Sequence, residues 1–176
     1  QDITTGAIEI VNGNFAVASP NSVIISDPIT ITGTGTLSIE SAGNIEIAAN
    51  IGGGDSTNII ATGTGNITQS GGLITGTNVS ITTAGGVIGT ESQNLQTQTT
   101  NLTANTTGSS VYITNQGDVN IGNSSASQVF EVTAVGSIKT TGVVIADAVT
   151  LQAAPGSGGG VFIDPDVIAT TSITIR

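Results

Sequence analysis

A three-residue unit returns along the whole chain: two apolar β-formers flank one polar residue, and a corner of Gly, Asn, Thr or Ser follows. It reads Leu37-Ser38-Ile39, Ile45-Glu46-Ile47, Val79-Ser80-Ile81, Val111-Tyr112-Ile113, Val119-Asn120-Ile121 and Ile173-Thr174-Ile175. Alternation with a period of two puts apolar side chains on one face of an extended strand and polar ones on the other. Strands this short, divided by turn residues, mark a repeat architecture in which neighbouring units share one core. The pattern predicts an all-β fold, a β-solenoid.

One apolar position can be followed from turn to turn through Ile3, Val23, Ile45, Ile67, Val87, Val111, Phe130, Leu151 and Ile173, with Val129 an equal choice to Phe130. The steps are 19 to 24 residues long. Within a step lie two or three strand-like pieces, such as Asn44 to Ala48, Asn58 to Ala61 and Asn66 to Gln69. This suits a coil with three faces. About eight coils at the inter-strand spacing of roughly 4.8 Å would form a rod about 40 Å long.

The 176 residues show no break in composition and are expected to form a single unit, 1–176, with 1–29 a possible N-terminal cap or joining segment. Helix is not expected, because the 25 glycines and many β-branched residues leave no amphipathic stripe with caps. Aromatic residues are limited to Phe15, Tyr112, Phe130 and Phe162. The core must therefore be built from Ile, Val, Leu and Ala, which suit a narrow interior. With 8% charged residues and a mean hydropathy of +0.30, the chain lacks the low hydrophobicity and high charge of disordered segments. Asn44, Asn58, Asn66, Asn78, Asn94 and Asn101, with Asp118, stand before apolar residues and read as corners that ladder from coil to coil.

The formal charge is −10, and Lys139 and Arg176 are the only cations. Neutralising phosphates requires clustered Lys or Arg, so no nucleic-acid partner is expected, and an anionic membrane surface is disfavoured for the same reason. No membrane insertion is expected either, since no run of 18 apolar residues occurs. No basic and apolar leader is expected within residues 1–176, and a chain starting at Gln1 is expected to be processed or cut from something longer. The absence of cysteine excludes disulfides.

With neither His nor Cys, the chain cannot build the familiar nucleophilic triads or zinc sites. Carboxylate chemistry remains, and Asp164 and Asp166, flanking Pro165, are the only close acid pair. They read as a turn, so no catalytic residues, no cofactor and no enzymatic activity are expected. Gly52-Gly53-Gly54-Asp55 matches part of a glycine-rich calcium-binding repeat and reads as a flexible loop; whether a metal binds is left open. Pro155 to Gly160 is expected to protrude as a loop between coils. Sequons at Asn66, Asn78, Asn101, Asn105 and Asn123 are expected from composition alone, with glycosylation open for a secreted protein. Threonine runs at Thr30 to Thr36, Thr62 to Thr64 and Thr75 to Thr77 would suit an ice-binding face only if they recurred at one phase, and they do not.

Gly43-Asn44-Ile45-Glu46-Ile47 is echoed in Gly65-Asn66-Ile67-Thr68 and in Gly117-Asp118-Val119-Asn120-Ile121. This unit resembles the rods of bacterial exoproteins of the filamentous haemagglutinin type. The stretch from Leu102 to Gly122 is similar to the β-strand-repeat segments of giant secreted adhesins. The resemblance spans roughly residues 30 to 151. It implies a right-handed parallel β-helix, export across the outer membrane of a diderm bacterium, and service as a stalk or contact surface, with no catalytic residues in the rod. Ala18-Ser19-Pro20-Asn21-Ser22 departs from the Asn-Pro-Asn-Gly type secretion motif at Ser19 and Ser22, and that role is not carried over.

Ser172 to Arg176 ends inside a strand-like segment, which is expected to leave a coil open for pairing. The leading expectation is the structural rod of a secreted surface protein that mediates adhesion or cell–cell contact, its receptor or glycan unnamed. The alternative is an extracellular filament subunit joined end to end by strand pairing. A polysaccharide-active enzyme and an ice-binding solenoid are more remote.

Overall fold

The computed structural model describes residues 3–154 and 158–176; the first part of the expected loop, Pro155 to Ser157, lies outside the described residues. The described residues form strands and no helix, and every strand pairing is parallel, so the chain is a parallel β-helix of about eight coils. The first three coils have three strands each. They are β1 (Ile3–Thr5), β2 (Ile8–Val11) and β3 (Phe15–Ser19), then β4 (Val23–Ile25), β5 (Ile29–Thr32) and β6 (Thr36–Ser41), then β7 (Ile45–Ile47), β8 (Ile51–Gly53) and β9 (Ser56–Ala61). The next two run two faces together, in β10 (Ile67–Gln69) with β11 (Ile74–Thr83), and in β12 (Leu95–Thr106), which follows a single bridge at Ile88. The remainder contains β13 (Val111–Asn115), β14 (Val119–Ile121), β15 (Ser124–Ser125), β16 (Val129–Ala134), β17 (Ile138–Thr140), β18 (Val144–Ala153), β19 (Val161–Phe162) and β20 (Val167–Ile175). Residues 3–19 thus form a coil in register with the rest.

The first face stacks Ile3, Val23, Ile45, Ile67, Ile88, Val111, Phe130, Val149 and Ile173. Two rungs differ from the ladder read in the sequence. Val87 takes the corner place of Asn44 and Asn66: its N–H donates to Asn66 Oδ1 at 3.0 Å, as that of Asn66 does to Asn44 Oδ1 at 2.8 Å. The rung is therefore the next residue, Ile88. Leu151 points inward too, but it pairs with Val132 and Ile175, two residues along the face. Alternation alone cannot separate positions of equal parity. Phe130 is fully buried and Val129 half-buried, which resolves that choice.

The interior is almost entirely Ile, Val, Leu and Ala in one continuous cluster, and Phe130 is its only fully buried ring. Each such branched side chain contributes roughly 1.5–3 kcal/mol by leaving water. The long faces end at small residues, Ser19, Ser41, Ala61, Thr83 and Thr106, stacked in register and buried. Where these carry a hydroxyl it serves the adjoining corner: Thr83 Oγ1 donates to the Gly65 carbonyl at 2.8 Å and Thr106 Oγ1 to that of Gly86 at 2.7 Å. At this corner successive backbones touch. A Cβ on Gly65 would overlap the Gly43 carbonyl, and one on Gly86 that of Gly65. Gly65→Ala is expected to force the coils apart and to destabilise the protein by about 1–3 kcal/mol, the range for overpacking. A denaturant midpoint equal to that of the parent would refute this.

Ladders of asparagine line two outer corners. Asn101 Nδ2 donates to Asn78 Oδ1 and Asn120 Nδ2 to Asn101 Oδ1, both at 3.0 Å. Asp118 accepts the Ser137 N–H at 2.7 Å in the same manner as Asn44 and Asn66. Asn58 departs from the expectation: it lies mid-strand in β9 between Ser38 and Ser80, where a short polar side chain simply faces outward. Asn94 stands just before β12 and donates to Thr114 Oγ1 at 3.2 Å.

The cross-section changes partway along the rod. Through β9 and the second halves of β11 and β12 the third face is the long one, whereas from β13 onward the first face lengthens and the third divides into two short strands. The changeover strand is β12, which pairs along β11 on one side and with β13, β14 and β15 on the other. Along the inward column Ile74, Thr97, Asn115, Ala134, the chain step falls from 23 residues to 18. Polar side chains stand inside at this place only where they are fully bonded. Asn115, with no exposed surface, accepts from Thr97 Oγ1 at 2.9 Å and the Thr99 N–H at 3.0 Å. Its amide donates toward the carbonyls of Thr99, Gly117 and Asp118 at 3.2–3.3 Å. Gln69, also buried, accepts the Gln96 N–H at 2.5 Å and donates to the Gly72 carbonyl at 2.9 Å.

Candidate functional site

Asp164 and Asp166 are exposed and belong to a corner that is bonded for structural ends. The Asp164 N–H donates to Thr140 Oγ1 at 2.8 Å, that hydroxyl donates to the Pro165 carbonyl at 3.0 Å, and the Asp166 carbonyl accepts the Val144 N–H at 3.1 Å. Among the described residues no three His, Cys, Asp or Glu side chains gather as a metal site. Gly52 and Gly53 are not a flexible loop. They lie in β8, paired with Thr30, Ile31 and Thr75, because side-chain-free backbone allows the neighbouring carbonyls to close over them. Asp55 accepts the Gly35 N–H at 3.1 Å and so closes the adjoining turn.

The threonine runs do not assemble into one array. Thr30 and Thr75 share an outward column, but Gly52 separates them and Gln98 follows. Asn66, Asn78, Asn101 and Asn123 are exposed and Asn105 half-buried; each uses its side-chain amide in bonds to a neighbouring coil.

Two surfaces remain. One is a trough of about 520 Å³ running along the rod, lined from four successive coils by residues 53–54, 75–77, 98–100 and 116–118. It lies over the cross-section changeover, and glycines 53, 54, 76 and 117 keep it open. Its polar walls come from Thr75, Thr77, Gln98, Thr100 and Gln116, and Asp118 is its one charged group. Sequence reasoning missed it, because the wall residues look like any outward polar positions and the concavity belongs to segments about one coil apart. The other surface is the pair of end layers. In the last coil Ile163, Ile173 and Ile175 are 43, 50 and 42% exposed, and at the opposite end Ile8, Ile10 and Phe15 are only partly covered.

Comparison of the chain with protein-family models, curated proteins and solved structures gives no match. The functional reading therefore rests on the geometry of the rod.

Proposed function

We propose that the chain is a structural rod of a secreted bacterial surface protein, working outside the cell in adhesion or cell–cell contact. The observation that carries this reading is the unbroken stack: a dry aliphatic interior held by parallel ladders from β1 to β20, with a polar, acidic exterior. Continuous hydrogen bonding along the axis resists bending and stretching without disulfides. The net charge of −10 limits association side by side.

End-to-end assembly by strand pairing is the second reading, and it would join the partly exposed aliphatic layers of the first and last described coils. Against it stands the mismatch of those layers. The first coil opens with the three-residue β1, whereas the last-described first-face segment is the long end of β18 and β20. Joining identical copies would need a second changeover, and the bonded Thr97, Asn115 and Gln69 that accomplish the first have no counterpart among the described residues at either end. Negative-stain electron microscopy over a concentration series tests the choice. Separate rods about 40 Å long, as coil number and spacing dictate, are expected. Long fibres of uniform width would replace the proposal with the filament reading, and beads coated with the rod that bind cells no better than uncoated beads would overturn its adhesive part.

A further inference from the structure

We infer that the axial trough binds a neutral, linear polysaccharide lying parallel to the rod; this rests on the reading of the rod as a contact surface. Four coils contribute successive rungs to its walls, and three of them carry outward polar side chains, Thr75 and Thr77, then Gln98 and Thr100, then Gln116, at the strand spacing of about 4.8 Å. A linear sugar polymer also presents its hydroxyls at a regular repeat. The volume of about 520 Å³ is in the range that small ligands and short saccharide stretches occupy.

The chemistry of the walls excludes other ligand classes in turn. No cation lines the trough, and Asp118, whose Oδ1 already accepts the Ser137 N–H, adds to an overall charge of −10. Polyanions are repelled. No aromatic or large aliphatic side chain lines it, so an apolar ligand or an amphipathic helix would gain little there. An extended peptide would bind best at a free strand edge, but where the ladder to the next coil is interrupted at 98–100 the Thr99 N–H and carbonyl are already bonded by the Asn115 side chain.

What the trough does offer is hydrogen-bonding capacity. The side chains of Thr77, Gln98 and Thr100 make no hydrogen bond within the described protein, and together they present amide and hydroxyl donors and acceptors. The floor beneath them is fixed. Thr99 Oγ1 bonds the Thr77 carbonyl at 3.0 Å and the Asn101 carbonyl at 2.9 Å, and the Thr99 N–H is held by Asn115. The fixed floor holds the backbone that carries these side chains, so binding has to order only the side chains themselves. Without a ring to stack on, a single site binds weakly, and strength comes from many rods engaging one polymer.

The test is titration of the isotope-labelled full chain with cellohexaose, xylohexaose and laminarihexaose, with hexagalacturonic acid as the charged control, followed by NMR. At least one neutral oligosaccharide is expected to shift the side-chain amide signals of Gln98 and Gln116 saturably, and the charged control is not. Gln98→Ala combined with Thr100→Val is expected to weaken that binding about 10-fold, as the loss of one or two hydrogen bonds dictates, with the unfolding midpoint unchanged. Absence of saturable shifts with all three neutral sugars, equal binding of hexagalacturonic acid, or shifts confined to other surfaces would each overturn the inference. None of these outcomes would alter the rods seen by microscopy, so failure here is separable from failure of the proposed function.

Discussion

Asn115→Leu is expected to lower the unfolding free energy by about 2–4 kcal/mol, because it removes at once the acceptor of the buried Thr97 hydroxyl and Thr99 N–H and the donor to the buried Thr99 carbonyl. Leucine matches the aliphatic surroundings in size and hydrophobicity, so a reading from apolarity alone would predict a gain. The bonds decide otherwise. Without the amide, the Thr99 N–H and the Thr99 carbonyl are left unpaired in the buried interior, and the Thr97 hydroxyl keeps only a long contact of 3.5 Å to the Thr114 carbonyl. Each such unsatisfied group costs about 1–3 kcal/mol, partly offset by the burial of leucine. The measurement is urea unfolding followed by far-ultraviolet circular dichroism. A loss below about 1 kcal/mol would mean that the changeover does not depend on this network.

Phe130→Ala is expected to cost about 3–5 kcal/mol through lost burial and the cavity left behind. The ring stacks between Val111 and Val149, and coils above and below are tied by backbone ladders that limit collapse into the void. Because each coil contacts only its neighbours, a weak coil also uncouples the two halves of a stack. Unfolding of the variant is therefore expected to broaden or divide into two steps, with the coils before β12 outlasting those after it. A single sharp transition with an unchanged midpoint would show that the ring contributes little.

The alternation of apolar and polar residues was sufficient to place side chains inside or outside the coil, since parity along a strand is a local property. It was also sufficient for the coil length and the number of coils, because side chains such as Ile45 and Ile67 must recur once per turn. Glycine and asparagine at Gly43-Asn44 and Gly65-Asn66 disclosed the corners, as each residue type has its own reason to be there. Parity gave no help in choosing Val149 over Leu151, both of which point inward. Val87 and Ile88 do differ in parity, but an apolar residue in the corner place, with its N–H donating to Asn66 Oδ1, hid the phase there.

Asn115 was the harder case. Nothing local marks this asparagine as interior, and only the carbonyls of a corner and the donors of a strand some 16 to 18 residues away make it so. The same holds for the trough, whose walls are ordinary outward residues until four coils are laid side by side. Strand, coil and repeat were legible in the residues alone, because these follow from the spacing of neighbours along the chain. The tertiary structure alone decided the register, the change of cross-section and the trough, because these depend on which groups meet across coils, and a hydrogen bond between distant residues leaves no period in the sequence.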